Sequence, residues 1–179
     1  KYTNLEFAVQ DTQKGTAHAV KMCFESLVNF SGDVMILSGD VPLISLNTLQ
    51  KLIKIKKQTG AKASVLTAHM DTPFGYGRVL RNSKGLLKKI TEHKDCNDKE
   101  LSVNEINAGI YIIENQFLFD YIPKIGTQNS QGEYYLPDLI NLMVLDKHLV
   151  SIHKTDDIIE ISGVNSKKQL NELESYLDK

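Results

Sequence analysis

Short apolar runs alternate along this chain with segments of helical periodicity, and that alternation leaves few folds open. Asp33-Val34-Met35-Ile36-Leu37, Ala63 to Ala68 and Asn107 to Ile113 are nearly continuous apolar stretches. Strands buried on both faces look like this. Between them, Ala19, Val20, Cys23, Phe24 and Leu27 fall on one helical face, and so do Leu46, Leu49, Leu52 and Ile53. Ser45 stands where a helix N-cap is wanted. Leu5 to Val9 reads as a further strand at the start, and Leu149 to His153 as another near the end. Ser166 to Leu177 reads as a closing amphipathic helix with Leu170, Leu173 and Leu177 inward. Strands alternating with helices predict an α/β fold with a mostly parallel sheet. One antiparallel element interrupts it: Asn82-Ser83-Lys84-Gly85 is turn chemistry between two short strands, so the sheet is expected to be mixed. No linker divides residues 1–179, which are read as a single, partial domain.

Composition narrows the function. Of 179 residues, 41% are hydrophobic and 24% charged, a globular profile. Lys and Arg number 21 against 22 Asp and Glu, so the basic excess of a nucleic-acid binder is missing. No apolar run approaches the ~20 residues of a membrane helix. Cys23 and Cys96 make neither a disulfide framework nor a metal spacing, and a reducing cytoplasm is the expected setting.

In open α/β sheets, ligands bind beyond the carboxyl ends of strands. The polar residues just after each apolar run are therefore the candidates: Gln10, Gly15, Thr16, Asp40, Gly77, Glu92, Asn107 and Asn165. Asp40, in the turn Ser38-Gly39-Asp40-Val41-Pro42, suits a hard cation such as Mg²⁺ or, equally simply, an Asx-turn. Gly15-Thr16 at a helix start suits an anion or base edge, or an ordinary cap. Asn107 can donate to and accept from a hydroxylated ligand, and Glu92 can accept from sugar hydroxyls, or each can serve its own loop. His18 reads as structural, and the lysines as solvated.

The order of these pieces is more specific than any one of them. Gln10-x-x-x-x-Gly15-Thr16-x-His18-Ala19, Ser38-Gly39-Asp40-Val41-Pro42, Gly75-Tyr76-Gly77-Arg78, Glu92-His93-Lys94-Asp95, Glu105-Ile106-Asn107-Ala108-Gly109, Gly132-Glu133-Tyr134-Tyr135 and Gly163-Val164-Asn165 form one series. The series resembles the bacterial N-acetylglucosamine-1-phosphate uridyltransferase family in its pyrophosphorylase domain. The resemblance implies a Rossmann-like nucleotide-diphospho-sugar transferase fold. It implies Mg²⁺-dependent transfer from UTP to N-acetylglucosamine 1-phosphate, giving pyrophosphate and UDP-N-acetylglucosamine, a peptidoglycan precursor. By position, Gln10, Gly15 and Thr16 match the uracil-reading residues, and Ser38, Gly39 and Asp40 the segment under the ribose and metal. Gly77, Glu92 and Asn107 match the acetamido-sugar contacts, Asp40 and Asn165 the catalytic metal ligands, and Glu133 and Tyr135 a motif beside the sugar. The family also implies a preceding strand and a Gly-rich loop with Arg and Lys for the triphosphate, and it allows a homo-oligomer of the full-length protein. On that reading this chain is a fragment with little activity alone. Two alternatives are a nucleotidyltransferase for another sugar phosphate and a non-catalytic sugar-nucleotide-binding domain.

Overall fold

The computed structural model describes residues 5–164 and 166–177. Six strands form one sheet: β1 (Asp33–Ile36), β2 (Ala63–His69), β3 (Arg78–Arg81), β4 (Leu87–Thr91), β5 (Glu105–Glu114) and β6 (Val150–Thr155). They run in the order β4-β3-β5-β2-β6, with β1 also paired to β5. The helices are α1 (Thr16–Lys21), α2 (Phe24–Leu27), α3 (Leu46–Thr59), α4 (Asp98–Leu101), α5 (Asn115–Tyr121), α6 (Leu136–Leu145) and α7 (Lys167–Leu177).

Strand alternation sorts the apolar side chains into two cores. Leu66 and Ala68 of β2 and Ile110 and Ile112 of β5 join Leu52 of α3 on one face. Ala63, Val65, Tyr111 and Ile113 join Leu118 of α5 and Leu139, Ile140 and Met143 of α6 on the other. A central sheet covered by helices on both faces explains why β2 reads as an unbroken apolar run. Ser45 caps α3 as expected, its Oγ accepting from the Thr48 N–H at 3.1 Å. The β3–β4 hairpin forms where the turn residues place it, with Asn82 Oδ1 accepting from the Lys84 N–H at 2.9 Å.

Several expectations need correcting. The sheet is mixed, but antiparallel pairing dominates: among the described residues only β2–β6 is parallel, while β1–β5, β2–β5, β3–β4 and β3–β5 are antiparallel. The reason is β5, a ten-residue strand that takes three antiparallel neighbours and organises the sheet. Leu5 to Val9 is not a strand; Leu5, Phe7 and Val9 are 61%, 86% and 72% exposed. An apolar alternation becomes a strand only where a partner supplies the ladder, and none of the described strands pairs with it. In α7, Leu173 is buried as expected, whereas Leu170 is 42% exposed.

Lys56 also departs from the reading of the lysines as solvated. It is buried and binds Asp33 Oδ1 at 2.7 Å, tying α3 to the start of β1. None of the described helices is long and apolar enough to cross a membrane.

Candidate active site

The site grows from an irregularity in β5. Between paired positions Val65↔Tyr111 and Thr67↔Asn107, β5 advances four residues while β2 advances two. Gly109 sits in this bulge at φ +72°, a left-handed value that favours glycine. A Cβ there would stand 2.8 Å from Ser38 Oγ. Its absence lets Ser38, just past β1, donate to the Gly109 carbonyl at 3.2 Å. The Gly109 N–H in turn donates to Asn107 Oδ1 at 3.2 Å, and the Asn107 N–H to the Gly77 carbonyl at 2.9 Å. The bulge therefore gathers two separate loops, those of Ser38 and Gly77, onto β5.

A second set of contacts builds the opposite wall. Gly15, at φ +102°, lies so close to Tyr134 that a Cβ would come within 2.5 Å of its carbonyl oxygen. The Ala17 N–H donates to the Tyr134 carbonyl at 2.9 Å, and the Tyr134 N–H to the Lys14 carbonyl at 2.8 Å. Thr16 Oγ1 accepts from the Leu136 N–H at 2.9 Å. Gln10 Nε2 donates to the Gly15 carbonyl at 3.3 Å and meets His18 Nδ1 at 2.8 Å. These bonds pin α1 against the start of α6.

Between the walls lies a cavity of about 340 Å³. Thr16, Ser38, Glu92 and Asn107 all line it, so four expected residues from distant parts of the chain converge on one space. Gly77 backs it: a Cβ there would lie 3.5 Å from both Glu92 carboxylate oxygens. Gln10 and Gly15 flank its Thr16 end. Gly39 and Asp40 do not line it; they are exposed on the turn that leaves Ser38, closed by the Val41 N–H on the Ser38 carbonyl at 3.3 Å. Asn165 lies outside the described residues. Its neighbour Val164 donates its N–H to the Asp40 carbonyl at 2.8 Å, so the chain arrives beside Asp40 just before that position. Two larger clefts, about 550 and 560 Å³, contain none of the expected residues.

Glu92 is a perturbed carboxyl of the site. Burial pushes it above the usual carboxylate range, and the negative charges of Asp138 and Asp95 push the same way. Asp138 is itself raised, by burial and by Asp95. With Tyr135, these carboxylates line a smaller recess of about 180 Å³ that shares Glu92 and Pro137 with the main cavity. Tyr135, which lines this recess, accepts from Gln131 Nε2 at 2.8 Å, and the Glu133 carbonyl accepts from Asn129 Nδ2 at 2.6 Å.

A profile described as nucleotidyl transferase matches residues 1–158. This chain belongs to the nucleotidyl transferase family. It is 45% identical over 169 residues to the bifunctional protein GlmU of Bacillus cytotoxicus, and equally so to that of Bacillus cereus strain G9842. The GlmU of Bacillus thuringiensis strain Al Hakam is also 45% identical. Each match covers 94% of this chain and 37% of the relative, so the chain spans a little over a third of the length of these proteins. A nucleotidyl transferase domain built on a mixed sheet agrees with the fold class expected from the sequence.

Nucleotidyl transferases usually use a divalent metal. No three His, Cys, Asp or Glu side chains among the described residues form a cluster able to hold one. An exposed Asp40 alone does not suit a tightly held resident ion. It does suit Mg²⁺, which binds one or two carboxylates and completes its shell with substrate phosphates and water.

Sequence reasoning missed several lining residues of this nucleotidyl transferase: Cys23, Tyr111, Leu136 and Pro137. Tyr111 reads as strand core, and Leu136-Pro137 as a helix start. Only the bulge and the Thr16–Leu136 bond turn them toward the cavity. Neither leaves a mark in the pattern beyond Gly109 itself.

Proposed function

We propose that this nucleotidyl transferase moves a uridylyl group from UTP to N-acetylglucosamine 1-phosphate, releasing pyrophosphate and forming UDP-N-acetylglucosamine. The observation that carries the reading is the meeting of Thr16, Ser38, Glu92 and Asn107 on one cavity. These residues come from four separate motifs of the uridyltransferase resemblance, and 45% identity to GlmU proteins over 94% of the chain supports the same assignment.

In this reading Gln10, Gly15 and Thr16 face the uracil, and Ser38 and Gly39 lie under the ribose. Gly77, Glu92 and Asn107 hold the acetamido sugar. Glu92 accepts from sugar hydroxyls, most strongly in its ionised form. Asn107 has one amide hydrogen and one carbonyl lone pair left after its bonds to Tyr111 and Gly109. Mg²⁺, held by Asp40 and Asn165, supplies charge neutralisation on the phosphates when bound. The sugar-phosphate oxygen attacks the α-phosphorus of UTP in line, the bond to the β-phosphate oxygen breaks, and pyrophosphate leaves. A phosphate monoester is already an anionic nucleophile, so no general base is assigned. Positioning and charge neutralisation carry the step.

The test is pyrophosphate release by the full-length gene product with UTP and Mg²⁺. Turnover is expected with N-acetylglucosamine 1-phosphate and much less with glucose 1-phosphate. Replacing Asp40→Asn should remove the metal-dependent turnover, by about 10²-fold or more if charge neutralisation is its role. Equal rates with both sugars would overturn the sugar assignment, and an Asp40→Asn enzyme with wild-type rates would overturn the metal assignment.

A further inference from the structure

We infer that the phenolic hydroxyl of Tyr111 is a direct hydrogen-bond donor to the sugar half of the ligand, set between Asn107 and Glu92; the inference rests on the uridylyl-transfer reading above. The polarity of the bonds fixes this. The Gly109 N–H can only donate, so the Asn107 atom facing it must be Oδ1. Nδ2 therefore faces Tyr111, at 2.6 Å from its hydroxyl oxygen. An amide nitrogen has no lone pair to offer, so Tyr111 accepts there. Its own hydrogen is left over. A phenol keeps its O–H close to the ring plane, so the hydrogen points to the in-plane side away from Asn107.

Among the described residues no acceptor takes that hydrogen. Asn107 is the one hydrogen-bond partner of the Tyr111 hydroxyl. Tyr111 is only 2% exposed, so the hydroxyl is largely withdrawn from bulk solvent and meets its surroundings through the cavity it lines. Burial also raises its ionisation well above that of an ordinary phenol, which keeps the hydroxyl a neutral donor. Yet the residue lines the cavity together with Asn107 and Glu92, and the Glu92 charge acts on it. A buried donor without an acceptor costs free energy until something fills the position. The sugar presents acceptor oxygens around its ring and on its acetamido carbonyl. The trio offers it a carboxylate acceptor, an amide and a hydroxyl donor within one small volume.

The experiment is isothermal titration of UDP-N-acetylglucosamine and of UMP into the full-length protein, wild type and Tyr111→Phe. The variant keeps the ring in the core and deletes the hydroxyl alone. The expected result is a loss of about tenfold in affinity for UDP-N-acetylglucosamine, as for one hydrogen bond to a buried group, with UMP affinity within twofold. Unchanged affinity for the sugar nucleotide would overturn the inference, and so would equal losses for both ligands, which a merely structural role produces. A wild-type protein that fails to bind UDP-N-acetylglucosamine would instead bring down the uridylyl-transfer reading and this inference with it. A readout independent of the variant's folding is the ring ¹³Cζ shift of Tyr111 in wild-type protein. It should move on adding UDP-N-acetylglucosamine and stay in place with UMP. A shift that stays in place with both ligands would refute the donor role.

Discussion

Two groups of carboxylates behave in opposite ways. Glu105, at the start of the central strand β5, and Glu100, in α4, are surrounded by donors. Glu105 accepts two bonds from Arg81 at 2.6 Å and one from Thr67 Oγ1 at 2.8 Å. Burial alone would raise its pKa, but those bonds and the charges of Arg81 and Lys154 hold it below the ordinary range. Glu100 is lowered chiefly by Lys89, at 2.8 Å, against its own burial, with help from the Asn97 N–H at 3.0 Å in a capping box. Glu92 and Asp138 are instead raised by burial and by their acidic neighbours. The chain supplies donors where a carboxylate holds the fold together. At the cavity it gives Glu92 little beyond the His93 backbone. A carboxylate kept short of donors in a recess is one that awaits donors from a ligand.

The contrast can be broken by substitution. Glu92→Gln should produce the largest change: affinity for UDP-N-acetylglucosamine falls roughly 10- to 100-fold, as when a hydrogen bond to a charged group is lost. Its urea midpoint at pH 7 should hold or rise, because the raised pKa means that ionised Glu92 costs the folded state stability. That cost is absent below the ordinary carboxylate pKa and complete above the raised one. A fall in stability would place Glu92 with the structural group. Glu105→Gln should do the reverse. Unfolding in urea should show a loss of about 1–3 kcal/mol at pH 7, with ligand affinity within twofold. The depressed pKa of Glu105 gives stability that is present above its unfolded value and lost as pH falls through the folded one. The smallest effect concerns pH. Affinity for the sugar nucleotide should decline on acidification at a pH above that at which an ordinary Glu protonates. Asp138→Asn should shift that midpoint downward by relieving one like charge. A midpoint that does not move would remove Asp138 from the account of Glu92.

Much of this was legible in the residues. The polar positions after the apolar runs include Thr16, Glu92 and Asn107, because the end of a strand is where a loop can turn a side chain into a crevice, and the family resemblance adds Ser38. The turn and cap chemistry of Asn82 to Gly85 and Ser45 also read correctly, because such signals are local. What failed was non-local. Alternation finds strands but not their direction, so the antiparallel neighbours of β5 were invisible. Leu5 to Val9 has a strand's pattern and no described partner. Lys56 looked like one of several solvated helix lysines until β1 brought Asp33 alongside. Tyr111 looked like core, and it is core. Its hydroxyl became informative only when Gly109 fixed which way the Asn107 amide faces.

The main-chain bonds joining residues 14–17 to Tyr134, with Thr16 fastened to Leu136, have a last consequence. That wall of the cavity is sewn together before anything arrives. Such a space is a mould rather than a jaw: it sorts guests by the shape they bring, and seating one freezes few additional rotors.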